Sequence, residues 1–234
     1  PIVFLFLAGS SFAQELDDGP MNRDDVTFFE PSGGGLKSDL NPVIVDVISQ
    51  INSDSIRASI QHLQDYGTRF LMVDNRKEIA TWVADQLISY VMTKVALDSL
   101  LCDIKWCSSG DTLGQYNIVA TLTGQSAPEE IYVSWGHYYS YCSPDPYTLA
   151  PGADDNASST AATLEIARVM QASNYQPEST IQFTLFAAEE LGLFGSRYQA
   201  QKAYETGEDI RFMQNLDMIA NNPDSTDLVL LFRY

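Results

Sequence analysis

The chain has 234 residues, 45% of them hydrophobic and 11% aromatic, which is enough to close one large core and too much for a disordered segment. Asp and Glu number 31 against 13 Lys and Arg, a net charge of −18 with no basic run to interrupt it, so a phosphate backbone would be repelled and no nucleic acid is expected as partner. Most of the acid reads as a solvated surface, with a share available to cations.

The N-terminal apolar run from Pro1 to Gly9, followed by Ser11-Phe12-Ala13, has the look of the apolar stretch and small-residue cleavage site of an export signal. No Met or basic segment precedes it. Residues 1–13 are therefore expected to be a signal-peptide remnant on a chain clipped at its start, and the protein to be secreted, extracellular or periplasmic. The alternative is a buried strand. The run is too short to cross a bilayer, and no stable membrane span is expected elsewhere. Residues 14–40 are polar, acidic and punctuated by Gly33-Gly34-Gly35, which predicts a flexible arm.

Residues 41–234 read as one domain. Spaced apolar positions predict helix within 41–66, and Ile79, Trp82, Val83, Leu87, Ile88 and Val91 predict another over 76–92. Strands are predicted at 95–104, 116–122 and 131–135, a helix at 160–172, a strand at 181–187, a helix at 191–204 and a strand at 212–219. One more strand begins at 228. The alternation argues for a layered α/β domain with a largely parallel sheet. Of the three cysteines, Cys102 and Cys107 are spaced to close a small loop as a disulfide in an exported protein, and Cys142 is left over.

Four clusters follow apolar segments: Gly136-His137, then Pro151-Gly152-Ala153-Asp154-Asp155-Asn156-Ala157-Ser158, then Ala187-Ala188-Glu189-Glu190-Leu191-Gly192, then Asn215-Leu216-Asp217-Met218. Three of them sit where a predicted strand ends, the place where open α/β sheets gather ligands. Asp154-Asp155 sits at a helix start, where the dipole favours a carboxylate. One acidic pair alone is ordinarily a solvated helix start. Several carboxylates converging on one rim repel each other and resist ionisation when buried, and a divalent cation reverses that penalty. One His among carboxylates, without Cys, suits zinc, with manganese or cobalt as alternatives.

These blocks, together with Leu191-Gly192-Leu193-Phe194-Gly195-Ser196-Arg197 and Met218-Ile219, resemble the two-zinc aminopeptidases of the bacterial leucyl type, in the metallopeptidase family that also includes glutaminyl cyclases. The likeness is strong over about 110–220 and weaker back to about 55. It implies a three-layer α-β-α domain with a central mixed, largely parallel sheet, of the phosphorylase/hydrolase-like kind, incomplete at its C-terminus. It implies two zinc ions and peptide substrates with a free N-terminus. By the resemblance Asp155 bridges both ions, His137 and Asp217 complete the first, Glu190 binds the second, Glu189 is the general base acting on a metal-bridged water, and Asp154 supports its loop.

Two departures stand out. The family carries an Asp two residues after the first His, where it orients the ring; here that position is Tyr139, so Tyr139→Asp is expected to raise activity or zinc affinity. The family also supplies the second ion with a His from beyond the Asp-Met block. Only His62 and His137 occur here, and His62 reads as a surface residue on a helix, so the missing ligand is expected downstream of a truncated chain. Ser159 replaces a common Gly and is well tolerated at a helix start. A single-zinc enzyme of the glutaminyl cyclase kind, or a catalytically impaired member acting as a binding module because of Tyr139, are the alternatives.

Overall fold

The computed structural model describes residues 3–8, 27–28, 41–90, 92, 94–103, 112–221 and 229–233. Helix α1 spans Pro42–Ser49 and α2 spans Ser53–Asp65, where the sequence pattern suggested one continuous helical stretch. The break is chemical. Asn52 turns its side-chain oxygen onto the amides of Asp54 and Ser55, at 2.9 and 3.2 Å, and so caps a new helix. Helix α3, Arg76–Ser89, buries Ile79, Val83 and Leu87, a stripe of four-residue spacing.

Strands β3 (Lys94–Asp103) and β4 (Thr112–Leu122) form an antiparallel pair from Lys94↔Thr121 to Asp103↔Thr112. There follow β5 (Ala127–His137), a wide helical turn over Ala153–Ser158, α4 (Ser159–Ala172), β6 (Ser179–Phe186), α5 (Phe194–Thr206) and β7 (Asp209–Asp217). Strands β1 (Val3–Ala8), β2 (Thr27–Phe28) and β8 (Val229–Arg233) complete one sheet of order β2-β8-β1-β7-β5-β6-β4-β3. Its centre, β1-β7-β5-β6, is parallel. The pairs β6-β4, β4-β3, β1-β8 and β8-β2 are antiparallel, so the sheet is mixed.

One face of the sheet carries Ile118, Ala120, Phe183 and Leu185 against α3 and α4, whose Ile79, Val83, Leu87, Leu164 and Ala167 fill the same core. Helix α5 packs on β3 and β4 from the other face, and three α-β-α layers result. Within the apolar run read in the sequence as an export signal, Val3–Ala8 form strand β1, parallel to β7 from Val3↔Phe212 to Ala8↔Asp217. Residues 9–13 and most of the 14–40 arm lie outside the described residues, as does Cys107. Cys102 is fully buried on β3, and Cys142 is an exposed free thiol. Among the described residues no helix is long and apolar enough to cross a membrane.

The register sets the site. Trp135 of β5 lies opposite Asn215 of β7, and His137 opposite Phe186 of β6. Three parallel strands therefore release their chains at one level: His137 ends β5, Asp217 ends β7, and Glu189-Glu190 follow the end of β6. This is the carboxyl edge of the sheet, where such folds bind ligands.

Candidate metal centre

His137 is buried, with 2% of its side chain exposed. Its Nδ1 lies 3.2 Å from the main-chain carbonyl of Tyr139. A carbonyl only accepts, so Nδ1 carries the proton and Nε2 is turned to the cluster. There Nε2 faces Asp155 Oδ1 at 3.3 Å, Asp217 Oδ1 at 3.7 Å and Glu189 Oε2 at 3.8 Å. Ligand atoms of His137, Asp155 and Asp217 all lie within 4.8 Å of one another, and so do those of His137, Glu189 and Glu190. The four residues expected as ligands and the expected base thus meet at one place.

Tyr139 takes a different part from the one its position suggested. Its side chain turns away from the imidazole into the core, fully buried, and its hydroxyl donates to Gln115 Oε1 at 2.6 Å. Gln115 in turn donates from Nε2 to the Leu71 carbonyl at 2.9 Å. The orienting contact to His137 comes from the Tyr139 backbone, which any residue would supply. The ring is therefore served without a carboxylate, and the expected gain from Tyr139→Asp loses its physical basis.

Polar side chains fix the segments that carry Glu189-Glu190, Asp217 and Asp155. Asn117 on β4 accepts from the Ala187 amide at 3.0 Å and donates to the Gly195 carbonyl at 2.8 Å, pinning both ends of the Glu189-Glu190 loop. Gly195 must lack a side chain there, because a Cβ would collide with the Ala187 backbone and the Asn117 amide. Asn156 donates to the Leu216 carbonyl at 3.3 Å and accepts from the Met218 amide at 3.4 Å, so it grips the chain on either side of Asp217. Asp154 accepts from the Ala220 amide at 2.9 Å and thereby ties its own loop to the chain beyond β7.

Arg69 was not singled out from the sequence, yet among the described residues it is the largest fully buried side chain. It donates to four carbonyls: Tyr138 (2.8 Å, Nε), Leu63 (2.8 Å, Nη1), Pro151 (2.6 Å, Nη1) and Gly152 (2.8 Å, Nη2). Burial pulls its guanidinium down to about 10, opposed by the charges of Asp155 and Glu190. The missing signal has a simple cause. Every partner of the Arg69 guanidinium is main chain, and a carbonyl has no sequence identity. His62, by contrast, is exposed on α2 and stacks on Trp82, with ring centroids 4.2 Å apart.

Charge at the centre is unbalanced. Burial raises the Glu190 carboxyl to about 8, with Asp155 adding to the effect, and burial likewise raises Glu189. For His137 burial alone would lower the pKa, but Asp155, Asp217 and Glu189 around it drive it well up. Glu190 Oε1 and Asp217 Oδ1 are buried and accept no hydrogen bond. Buried carboxylate oxygens without donors, converging on the Nε2 of a histidine whose Nδ1 faces a main-chain carbonyl, are a donor set that fits a divalent cation. The flanking backbone is held under constraint, with Ala188 at φ 52° and Met218 at φ 48°, each next to a residue of the cluster.

A model of peptidase family M28 matches residues 117–231. A protein of Pyrenophora tritici-repentis named "Probable zinc metalloprotease" is 35% identical over 191 residues, covering 76% of this chain and 44% of its own length. A "Probable leucine aminopeptidase" of Arthroderma otae is 27% identical over 212 residues, covering 87% of this chain and 56% of its own. The chain thus spans about half the length of these relatives. Among solved structures, LapB from Legionella pneumophila superposes with a TM-score of 0.61 at 24% identity, over 82% of this chain and 50% of that one. The glutaminyl cyclase of Bacteroides thetaiotaomicron, bound to N-acetylhistamine, gives 0.60 at 22%, over 72% and 62%. At these identities the structural likeness speaks for the fold alone.

Proposed function

The chain belongs to peptidase family M28, and from that premise we propose that it carries the zinc site of an aminopeptidase, which hydrolyses peptide bonds next to a free N-terminus. The observation that carries the reading is the convergence of His137, Asp155, Glu189, Glu190 and Asp217, with buried carboxylate oxygens left without donors. His137, Asp155 and Asp217 would hold one zinc ion, and Glu190 with Asp155 would contribute to a second. When bound, zinc polarises a peptide carbonyl and makes water acidic enough to be a nucleophile at neutral pH.

The rest falls to the side chains. Glu189 is the general base: burial raises its carboxyl, which makes it a better acceptor for the proton of an attacking water, and it would return that proton to the leaving amine. The Tyr139 carbonyl keeps His137 Nδ1 protonated, so Nε2 stays free to ligate. The concentration of carboxylates attracts the substrate's ammonium end, which favours exopeptidase action. Export belongs to the same proposal and rests on the sequence alone; Cys102 is a free, buried thiol, so a pairing with Cys107 is no part of it.

Two assays test it. Metal analysis of the purified chain counts zinc, and a count of two, one or none separates the paired-ion enzyme, a single-zinc enzyme and a binding module. A chromogenic aminoacyl substrate with and without a chelator measures turnover. Bound zinc with chelator-sensitive hydrolysis is the expected result; a folded chain that takes up no zinc from excess would sink the proposal.

A further inference from the structure

The metal centre lies within the region matched by the family model, residues 117–231, but one of the side chains that shapes it comes from outside. The segment Gly67–Leu71 runs beside the loop that connects His137 to Asp155. The Ala150 amide donates to the Gly67 carbonyl at 2.8 Å, and Thr68 Oγ1 donates to the Pro146 carbonyl at 2.6 Å. Ser140 closes the same knot: its Oγ accepts from the Arg69 amide at 3.1 Å and donates to the Ala150 carbonyl at 2.5 Å.

At the centre of the knot is the Arg69 guanidinium. One of its carbonyl partners, Tyr138, directly follows His137; another, Gly152, stands three residues before Asp155; a third, Leu63, belongs to α2. The planar fork therefore reaches both ligand-bearing arms and a helix at once. The fit is tight: a Cβ on Gly152 would meet the Asp155 carbonyl, Ser140 and the Arg69 guanidinium, so Gly152, at φ 47°, stays a glycine. Burying a guanidinium with only carbonyl acceptors is costly, and a greasy side chain would fill the space more cheaply. What only a guanidinium does is fix several carbonyl directions simultaneously.

We propose that Arg69 is a positioning residue for the metal centre, setting the distance between the arm of His137 and the arm of Asp155 through their main-chain carbonyls. The inference rests on the reading of those residues as ligands. Lysine keeps the charge but offers one compact donor group in place of the fork, so Arg69→Lys separates geometry from charge.

The test uses the full chain and Co²⁺ as probe, with affinity read from its visible absorption and zinc affinity from competition. Arg69→Lys is expected to weaken Co²⁺ binding about 10–100-fold and to change the band shape, while far-UV circular dichroism stays native. Ser140→Ala, which loosens the same knot from the other side, is expected to weaken binding about 3–10-fold, less than removing the fork itself. Glu165→Gln lowers stability away from the centre, midway along α4 where it joins the α1–α2 junction, and should bind Co²⁺ within about twofold of wild type.

Wild-type affinity in folded Arg69→Lys and in Ser140→Ala would overturn the proposal. So would an equal loss in Glu165→Gln, because the effect would then be general destabilisation. If Arg69→Lys does not fold, Ser140→Ala against Glu165→Gln decides the matter by the same criterion. A wild-type chain that binds no Co²⁺ rejects the metal reading itself, which is a different outcome from binding that ignores Arg69.

Discussion

Two buried glutamates show the molecule's two ways of handling acid. Glu165 on α4 is 4% exposed and fully partnered: Arg168 donates to it at 2.6 and 2.8 Å, and the Asn52 amide at 2.6 Å. Burial by itself would raise its pKa, but these donors outweigh burial and hold it below the ordinary range. Glu190 meets burial and the negative charge of Asp155, finds no donor for Oε1, and is pushed up to about 8. One carboxylate completes a structural joint between α4 and the α1–α2 junction. The other belongs to a set that is complete only with a cation, and that difference marks function more sharply than acidity does.

The harshest way to sharpen the contrast is Glu189→Gln. It keeps the shape of the centre and removes the proton acceptor, so peptide turnover should fall by about 10²–10⁴-fold with bound zinc unchanged. Equal turnover would assign the base elsewhere.

The next effect comes from the cation and from pH. In metal-free protein Glu190 has a folded pKa, about 8, above its ordinary 4.5. Its favourable contribution is present below the unfolded value and lost as pH rises through the folded one. Metal-free protein should therefore lose stability between about pH 5 and pH 8, and Glu190→Gln should flatten that slope. Zinc at 100 times its Kd should add about 2.7 kcal/mol, and at a fixed zinc concentration the gain should grow as pH rises, because protons then compete less for the carboxylates. Urea titrations at several pH values, with and without chelator, read both effects.

Glu165 has the opposite sign. Its depressed pKa means that its contribution is present above the unfolded value and lost as pH falls through the folded one. Glu165→Gln should cost about 1–2 kcal/mol at neutral pH, discounted because Arg168 is 27% exposed, and the loss should shrink in acid. A mutant whose deficit is the same at pH 3 and pH 7 would break the comparison.

What the sequence made legible follows the same division. Strands β3 to β8 and helices α3 and α4 announce themselves by their apolar patterns, and the candidate ligands by acidic and histidine residues near strand ends, because those signals are carried by side-chain type; β1, read as an export signal, and β2, inside the expected arm, do not. The α1–α2 break was present in Asn52, a helix cap masked by the apolar spacing on either side of it. Arg69, Asn117 and Gln115 were not legible. Apart from the Tyr139 hydroxyl on Gln115, the partners of these side chains are carbonyls and amides, and main-chain groups are alike at every position. Tyr139 shows the same division: the His137 ring needs an acceptor, and the Tyr139 backbone carbonyl provides one where the sequence points to a side chain.

The smallest effect expected is at Tyr139 itself, and it separates backbone from side chain. Tyr139→Phe keeps the carbonyl that faces His137 Nδ1 and the ring packed on Tyr138, at a centroid distance of 4.5 Å, but removes the hydroxyl that donates to Gln115. Gln115 Oε1 then lacks that donor in a fully buried place, and stability should fall by about 1 kcal/mol. Zinc affinity should stay within about twofold of wild type, because the group that orients the ligand is untouched. Tyr139→Asp goes further, putting a carboxylate into the same buried position, and should cost more stability without tightening zinc. A rise in affinity in the Asp variant would mean that its side chain swings to the imidazole and competes with the carbonyl, so that the backbone contact is the weaker of the two.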